Sequence, residues 1–409
     1  MAHRLPPVSE PLVLGDEIFS DPHRLGALLR DEAPVRHITN PRGISGWLLT
    51  RYEDCRAALN DPRLLKDAER TTEVLGKSLD ADSPYLHPAM RALDTHMLNS
   101  DPPDHTRLRK LVGKAFTPRT VARLRPRIEA ITDELLDRMA GREVVDLMED
   151  FALPVPMTVI CELLGIDEAD RPSFRRWVHT IVSSNPGAGV VPATEEALAF
   201  LDQLIDRKRA EPADDLLSEL VAVTDEGDRL SRSELIGMAM LLVTAGHDTT
   251  VNLIGNGTLA LLRAPGQLAA LRADPALLPG AVEELLRYDG SVQLATYRFT
   301  SEPVEVAGVR IPEGELVMVS LLSANRDGDR FEDPDRLDLT RKATGHLAFG
   351  YGIHHCLGAP LARLEAQIAI GRLVTRYEGL RLAVDPDSLT WRFSTLIHGL
   401  DTLPVRPGS

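Results

Sequence analysis

Apolar residues return at three- and four-residue intervals from Asp104 to Thr249, so the centre of the chain is predicted to be mostly helical. From Ser233 to about Leu262 the pattern predicts one long helix that is apolar on nearly every side, which implies burial through the middle of the fold. The opening third mixes strand-like runs such as Gly46-Trp47-Leu48-Leu49-Thr50 with helices that stop at Asn60-Asp61-Pro62. Between Pro303 and Leu322 the period changes. Val304 to Ile311 alternates around a glycine turn and Pro312-Glu313-Gly314 precedes Leu316 to Val319, which predicts a small antiparallel sheet. The segment Ser183 to Pro192 reads as a mobile loop of the kind that covers binding sites. No linker, repeat or low-complexity tract divides the chain. Residues 1–409 are therefore expected to form a single domain of mainly α class, a large helical domain with small antiparallel β-sheets.

Composition narrows the function classes. A net charge of -15 argues against a general nucleic-acid surface or anionic lipid, both of which are polyanions. The N-terminus carries proline and charge where a signal peptide needs an uninterrupted apolar stretch. The strongest apolar run, around Met238 to Ala245, falls well short of the roughly 20 residues that span a bilayer. A cytoplasmic protein with no membrane segment is expected. The three cysteines, Cys55, Cys161 and Cys356, cannot build a disulfide framework and suit a reducing compartment. Cys55 and Cys161 occupy helix core positions and read as packing residues.

Cys356 has different neighbours. Phe349 to Ala359 is dense in glycine and feeds the helical pattern that begins at Leu361. The sulfur then sits beside a helix N-terminus, where unpaired amides and the positive dipole end favour a thiolate. Pro360 suits the first turn, and the amides of Leu357, Gly358 and Ala359 are candidate donors to sulfur. A lone Cys-x-Gly would read as a glycine turn with an inert cysteine, and His346, His354, His355 and Cys356 could be taken for a metal site, although neighbouring side chains diverge. The full pattern Phe349-Gly350-x-Gly352-x-His354-x-Cys356-x-Gly358, however, resembles the haem-binding signature of the cytochrome P450 family.

A second motif interrupts the apolar long helix: Ala245-Gly246-His247-Asp248-Thr249-Thr250. Gly246 removes bulk where a ligand approaches, and the Thr249 hydroxyl can bond back to the Ala245 carbonyl. The motif is similar to the family's acid-alcohol pair. The resemblance runs from Trp47 to Pro404. It is closest to actinobacterial enzymes that oxidise macrolides and other polyketides, through His96 to Pro103, Thr249 to Ile254 and Gly345 to Gly350.

The resemblance implies a monooxygenase with haem b (iron protoporphyrin IX) and O2 as co-substrate. It makes Cys356 the axial iron ligand, with Thr249 positioning oxygen and Asp248 relaying the protons that splitting dioxygen consumes. Phe349, Gly350, Gly358, Ala245 and Gly246 would bed the cofactor, and His105, Arg109, Arg298 and His354 would hold its propionates. Glu284 and Arg287, joined by Arg336, are assigned a folding role. Position in the family places Leu93, Met97, Leu241, Ala245, Gln293, Leu294, Ala295, Leu396 and Ile397 around a bulky hydrophobic substrate.

From His105 through Arg127 there is no acidic residue, so Arg107, Lys110 and Lys114 are expected to present a basic face. In the family this region docks an acidic ferredoxin or flavodoxin, itself served by an NAD(P)H-dependent reductase. A monomer is expected. A macrolide, another polyketide, a steroid or a terpenoid all suit such a pocket. A peroxide-driven haem enzyme would not need Asp248 and Thr249, and a non-catalytic haem sensor would need no proton delivery.

Overall fold

The computed structural model describes residues 10–76, 86–182, 189–224 and 227–408. Its axis is a single unbroken helix, Arg232–Arg263, buried along most of its length. Ser231 caps it: its hydroxyl accepts the Glu234 amide at 3.3 Å while the Glu234 carboxylate accepts the Ser231 amide at 2.7 Å, a reciprocal cap of the kind worth about 1 kcal/mol. Several polar residues inside this helix bond its own backbone. The hydroxyls of Thr244, Thr249 and Thr258 each bond a carbonyl four residues back, as do His247 Nδ1 and Asn252 Nδ2. Against it pack Pro154–Leu163, Leu278–Asp289 and Ala359–Arg376.

The main sheet has six strands in the order Leu12–Val13, Val35–Thr39, Ser45–Leu49, Leu316–Val319, Arg298–Thr300 and Leu64–Leu65. It is mixed, not antiparallel as the alternation suggested. Leu12–Val13 runs parallel to Val35–Thr39, and Ser45–Leu49 parallel to Leu316–Val319. The reason lies in Leu316–Val319, which is buried at every position and so fits the sheet interior. The expected hairpin does form on its own, Val304–Val306 with Val309–Ile311, through a turn in which Ala307 and Gly308 both take positive φ, as a two-residue hairpin loop requires.

The loop expected over 183–192 lies outside the described residues as far as 188, and Val190 already opens the helix Val190–Ala210. Cys55 and Cys161 are fully buried in helices, and burial raises both thiols, Cys161 to about 11. Among the described residues no helix is long and apolar enough to cross a membrane.

Candidate active site

The glycine-rich turn ahead of Cys356 has a sharply constrained backbone. Gly350 and Gly352 take φ of 69° and 75°, and a Cβ on Gly352 would come within 2.9 Å of the Leu59 carbonyl, so no side chain fits there. The Cys356 amide closes the turn on Phe349 O at 2.9 Å. Arg363 lies over the Phe349 ring at 4.4 Å and forks onto Glu283 at 2.6 and 2.8 Å, which helps hold that carboxyl down at about 2. The helix Ala359–Arg376 starts three residues beyond the sulfur. Burial pushes the Cys356 thiol up, while amide donors on Gly358 and Ala359 and the charge of Arg109 pull it down. Donors suited to a thiolate thus reach the sulfur of a residue that is itself exposed, unlike Cys55 and Cys161, and therefore accessible to a cation.

Cys356, Phe349, Gly350 and Gly358 line the same cavity as Ala245, Gly246 and Thr249 of the long helix. Its volume, counted out to solvent, is about 1150 Å³ and its walls are mainly apolar. Basic groups gather at one end. Lys66 Nζ, 3% exposed, donates to Thr296 Oγ1 at 2.6 Å, and buried Arg298 reaches the Leu59 carbonyl at 3.4 Å. The His105 and His354 rings stand 4.3 Å apart, and neither nitrogen of His105 has a partner. Arg109 donates to His355 O at 2.6 Å. Burial, reinforced by neighbouring positive charge, drives Lys66 well below its ordinary range and His354 down to about 2; burial takes Arg298 to about 10. Asp101 is the acid that acts on Lys66, His105 and Arg298, and its Oδ2 is taken by the amides of Lys66 and Asp67. A cluster of largely buried cations and donors beside an apolar cavity suits an apolar molecule that carries carboxylates. Haem fits that description, and Cys356 would hold its iron.

Thr249 Oγ1 donates to Ala245 O at 2.7 Å. Asp248 does not point into the cavity's lining; its Oδ1 meets Arg392 Nη1 at 2.5 Å and Asn252 Nδ2 at 3.4 Å. Arg392, which pairs with Asp248, and Lys66, which lines the cavity, are candidate site residues that the sequence reading missed. Neither carries a local signal, since each acts on residues far away in the chain.

Several expectations need correction. Arg336 does not complete the Glu284–Arg287 pair: its side chain is 66% exposed and binds Asp338. Arg341 takes that place, Nε to Glu284 Oε1 at 3.1 Å, because the chain turns back after Asp338. Glu284 and Arg287 are themselves fully buried and joined by two bonds of 2.7 and 2.9 Å, with Arg287 also holding the carbonyls of Asn325 and Pro334.

Of the expected pocket residues, Ala245 and Ala295 border the cavity, whereas Leu93, Met97, Leu241, Gln293, Leu294, Leu396 and Ile397 do not. On the long helix the neighbour Leu242 faces inward instead of Leu241. Gln293 is spent on the Ile18 carbonyl at 2.8 Å, Leu294 and Leu396 pack with the sheet, and Ile397 pairs with Val292. Leu93 and Met97 belong to the main core.

The stretch from His105 to Arg127 is acid-free in sequence but not in space. Arg107 is bound by Glu234 and Asp228, Arg123 approaches Asp214 and Glu219, and Lys114 is taken by the Thr224 carbonyl at 3.0 Å. His346, His354, His355 and Cys356 do not converge: His346 turns to Glu283 and His354 to His105.

Comparison with known proteins agrees with this geometry. The sequence model of the family described as Cytochrome P450 matches residues 190–397. The chain is 55% identical over 402 residues to cytochrome P450 107B1 of Saccharopolyspora erythraea, covering 98% of this chain and 99% of that one. The chain belongs to the cytochrome P450 family. It is also 45% identical to the 6-deoxyerythronolide B hydroxylase of the same organism, across 96% of this chain and 97% of that one. The tirandamycin C-bound P450 monooxygenase TamI superimposes with a TM-score of 0.89 at 48% identity, over 97% of this chain and 100% of that chain. The protein is therefore a P450 monooxygenase that uses haem iron and O2.

Proposed function

We propose that this P450 carries haem b on Cys356 and hydroxylates or epoxidises a macrolide or related polyketide, as a cytoplasmic monomer receiving electrons from a ferredoxin or flavodoxin and its NAD(P)H-dependent reductase. The observation that carries the reading is the shared cavity, with Cys356 Sγ and its amide donors on one side and the Ala245 to Thr249 segment on the other. When bound, the haem iron supplies the activation of dioxygen. The protein's own groups do the rest. Gly358 and Ala359 temper the charge on sulfur, while Lys66, His105, Arg109, Arg298 and His354 hold the propionates. Thr249 lines the cavity with its hydroxyl proton on the Ala245 carbonyl, which leaves the Oγ1 lone pairs to accept from a bound water, and Asp248 supplies protons after parting from Arg392. Apolar walls such as Leu242, Leu253 and Ala295 exclude water and suit a large hydrophobic substrate, as macrolide- and polyketide-acting relatives such as the 6-deoxyerythronolide B hydroxylase would require.

A panel of macrolides, linear polyketides, steroids and terpenoids, scored by the spectral change when water leaves ferric haem, tests the substrate class. Tightest response among the macrolides and polyketides is expected, and a response confined to steroids or terpenoids would overturn it. Thr249→Ala is expected to keep substrate affinity but cut product formed per O2 consumed several-fold, with peroxide released; unchanged coupling removes Thr249 from the mechanism.

The electron donor is expected to dock on the cysteine-loop face. There Arg56 stacks on Tyr351 at 4.7 Å and Ile353 is exposed, whereas Arg107 is already neutralised. Arg56→Glu should slow reduction by a ferredoxin about tenfold at low salt without changing substrate affinity. Stopped-flow reduction rates check this, and equal rates would refute it.

A further inference from the structure

Three side chains with no part in oxygen chemistry meet away from the haem cavity. His23 lies in the first turn of the helix Pro22–Glu32, Asp289 is the last residue of Leu278–Asp289, and His398 is on the C-terminal segment. Both imidazoles turn Nε2 onto the same carboxylate oxygen, Asp289 Oδ1, at 2.7 Å from His23 and 3.1 Å from His398. All three ligand atoms lie within 4.8 Å of one another, and no other group of three His, Cys, Asp or Glu side chains among the described residues converges in this way.

The cluster is built. Trp391 stacks on the His398 ring at 4.2 Å and 10°, the His398 amide donates to Ser291 O at 2.9 Å, and Asn256 Nδ2 ties the His398 carbonyl at 3.0 Å. The His398 side chain is 2% exposed, whereas His23 is 23% exposed and leaves one side open to solvent.

We propose that His23, Asp289 and His398 form a binding site for one divalent transition-metal cation of the Zn2+ type, with water as the fourth ligand. Two imidazoles and a carboxylate make a donor set for borderline cations and not for Mg2+ or Ca2+, which prefer oxygen. Tetrahedral Zn2+ with bonds near 2.0–2.1 Å separates its ligand atoms by about 3.3 Å. The 3.1 Å His398 spacing is close to that, and His23, the more exposed histidine, at 2.7 Å needs to retreat by about 0.6 Å.

The metal replaces the Nε2 protons that now bond Asp289. A neutral ring can move its proton to Nδ1, which has no partner in either ring, and a cationic ring releases one to solvent. The charged group facing the cluster is Arg326, whose Nε is held by the Tyr288 carbonyl and whose Nη1 pairs with Asp335. It disfavours a second positive charge on His23 and also weakens cation binding. The site is therefore of moderate affinity.

Occupancy would fasten the C-terminal segment to the first helical layer. That segment also carries Arg392, the partner of Asp248.

The test uses the haem-loaded full chain, stripped of adventitious metal by a chelator and titrated calorimetrically with Zn2+ near neutral pH, with Mg2+ as control. One saturable Zn2+ site is expected, weakened at least about tenfold by His23→Ala and by Asp289→Asn. Saturating Zn2+ should also raise the thermal midpoint of the wild type and not of either variant. His23→Ala truncates a partly exposed side chain, so its carbon monoxide difference spectrum should match the wild type and report an intact fold. No saturable binding to the wild type, or identical isotherms and thermal shifts in wild type and both variants, overturns the proposal.

Discussion

Cys356→Ala is expected to reduce monooxygenase turnover to background and to remove the strongly red-shifted Soret band of the reduced protein under carbon monoxide. On the proposed function, the Cys356 sulfur is the group that would hold the haem iron. It is closed in by the Phe349–Cys356 turn and supplied with amide donors by Gly358 and Ala359, and an alanine there offers no ligand. Substituting either of the other cysteines should leave the band in place, since Cys55 and Cys161 are buried thiols whose pKa burial raises. A Cys356→Ala protein that kept the band would overturn the assignment of the axial ligand.

The second large effect is structural. Glu284→Gln is expected to destabilise the folded protein by about 3–5 kcal/mol, because it leaves the guanidinium groups of Arg287 and Arg341 buried against an uncharged amide. Arg287 cannot turn elsewhere, since its remaining donors already hold the carbonyls of Asn325 and Pro334 behind the cysteine loop. Asn325 in turn holds the Leu347 amide at 2.6 Å, at the entrance to that loop, so haem retention should fall with stability. Denaturant unfolding of the holoprotein with absorbance at the haem band measures both. Arg336→Ala is the informative control: exposed and bound to Asp338 alone through its side chain, it should cost within about 0.5 kcal/mol. Equal losses from the two substitutions would contradict the assignment of Arg341 as the third member.

What could be read from the chain alone was whatever is local or periodic. The long helix was expected from Ser233 to about Leu262 and runs Arg232–Arg263, because its sixteen apolar residues recur on nearly every side; the Ser231–Glu234 cap that fixes its start was not read from the sequence. The turn before Cys356 was legible because its glycines are demanded by backbone geometry within ten residues. Three kinds of feature were not legible. Ion pairs across the fold leave no local trace: the acids that neutralise Arg107 lie more than a hundred residues away, at Asp228 and Glu234. Inward and outward positions near Val292 to Thr296 depend on how the segment is pinned: of Gln293, Leu294 and Ala295, all expected to face the substrate, only Ala295 borders the cavity. The third arginine of the buried pair could not be counted through the irregular turn from Asp333 to Arg341.

The pairing of Asp248 with Arg392 also bears on how chimeras of this enzyme would behave. Residues near the carboxyl terminus are a natural place to splice in a homologue's sequence when a wider range of molecules is wanted. Here such a graft would carry off the counter-ion of Asp248, the acid proposed to relay protons, so on that proposal a hybrid would accept a new compound well and still waste its reducing equivalents. Keeping the arginine at 392 while exchanging its surroundings would separate the two effects.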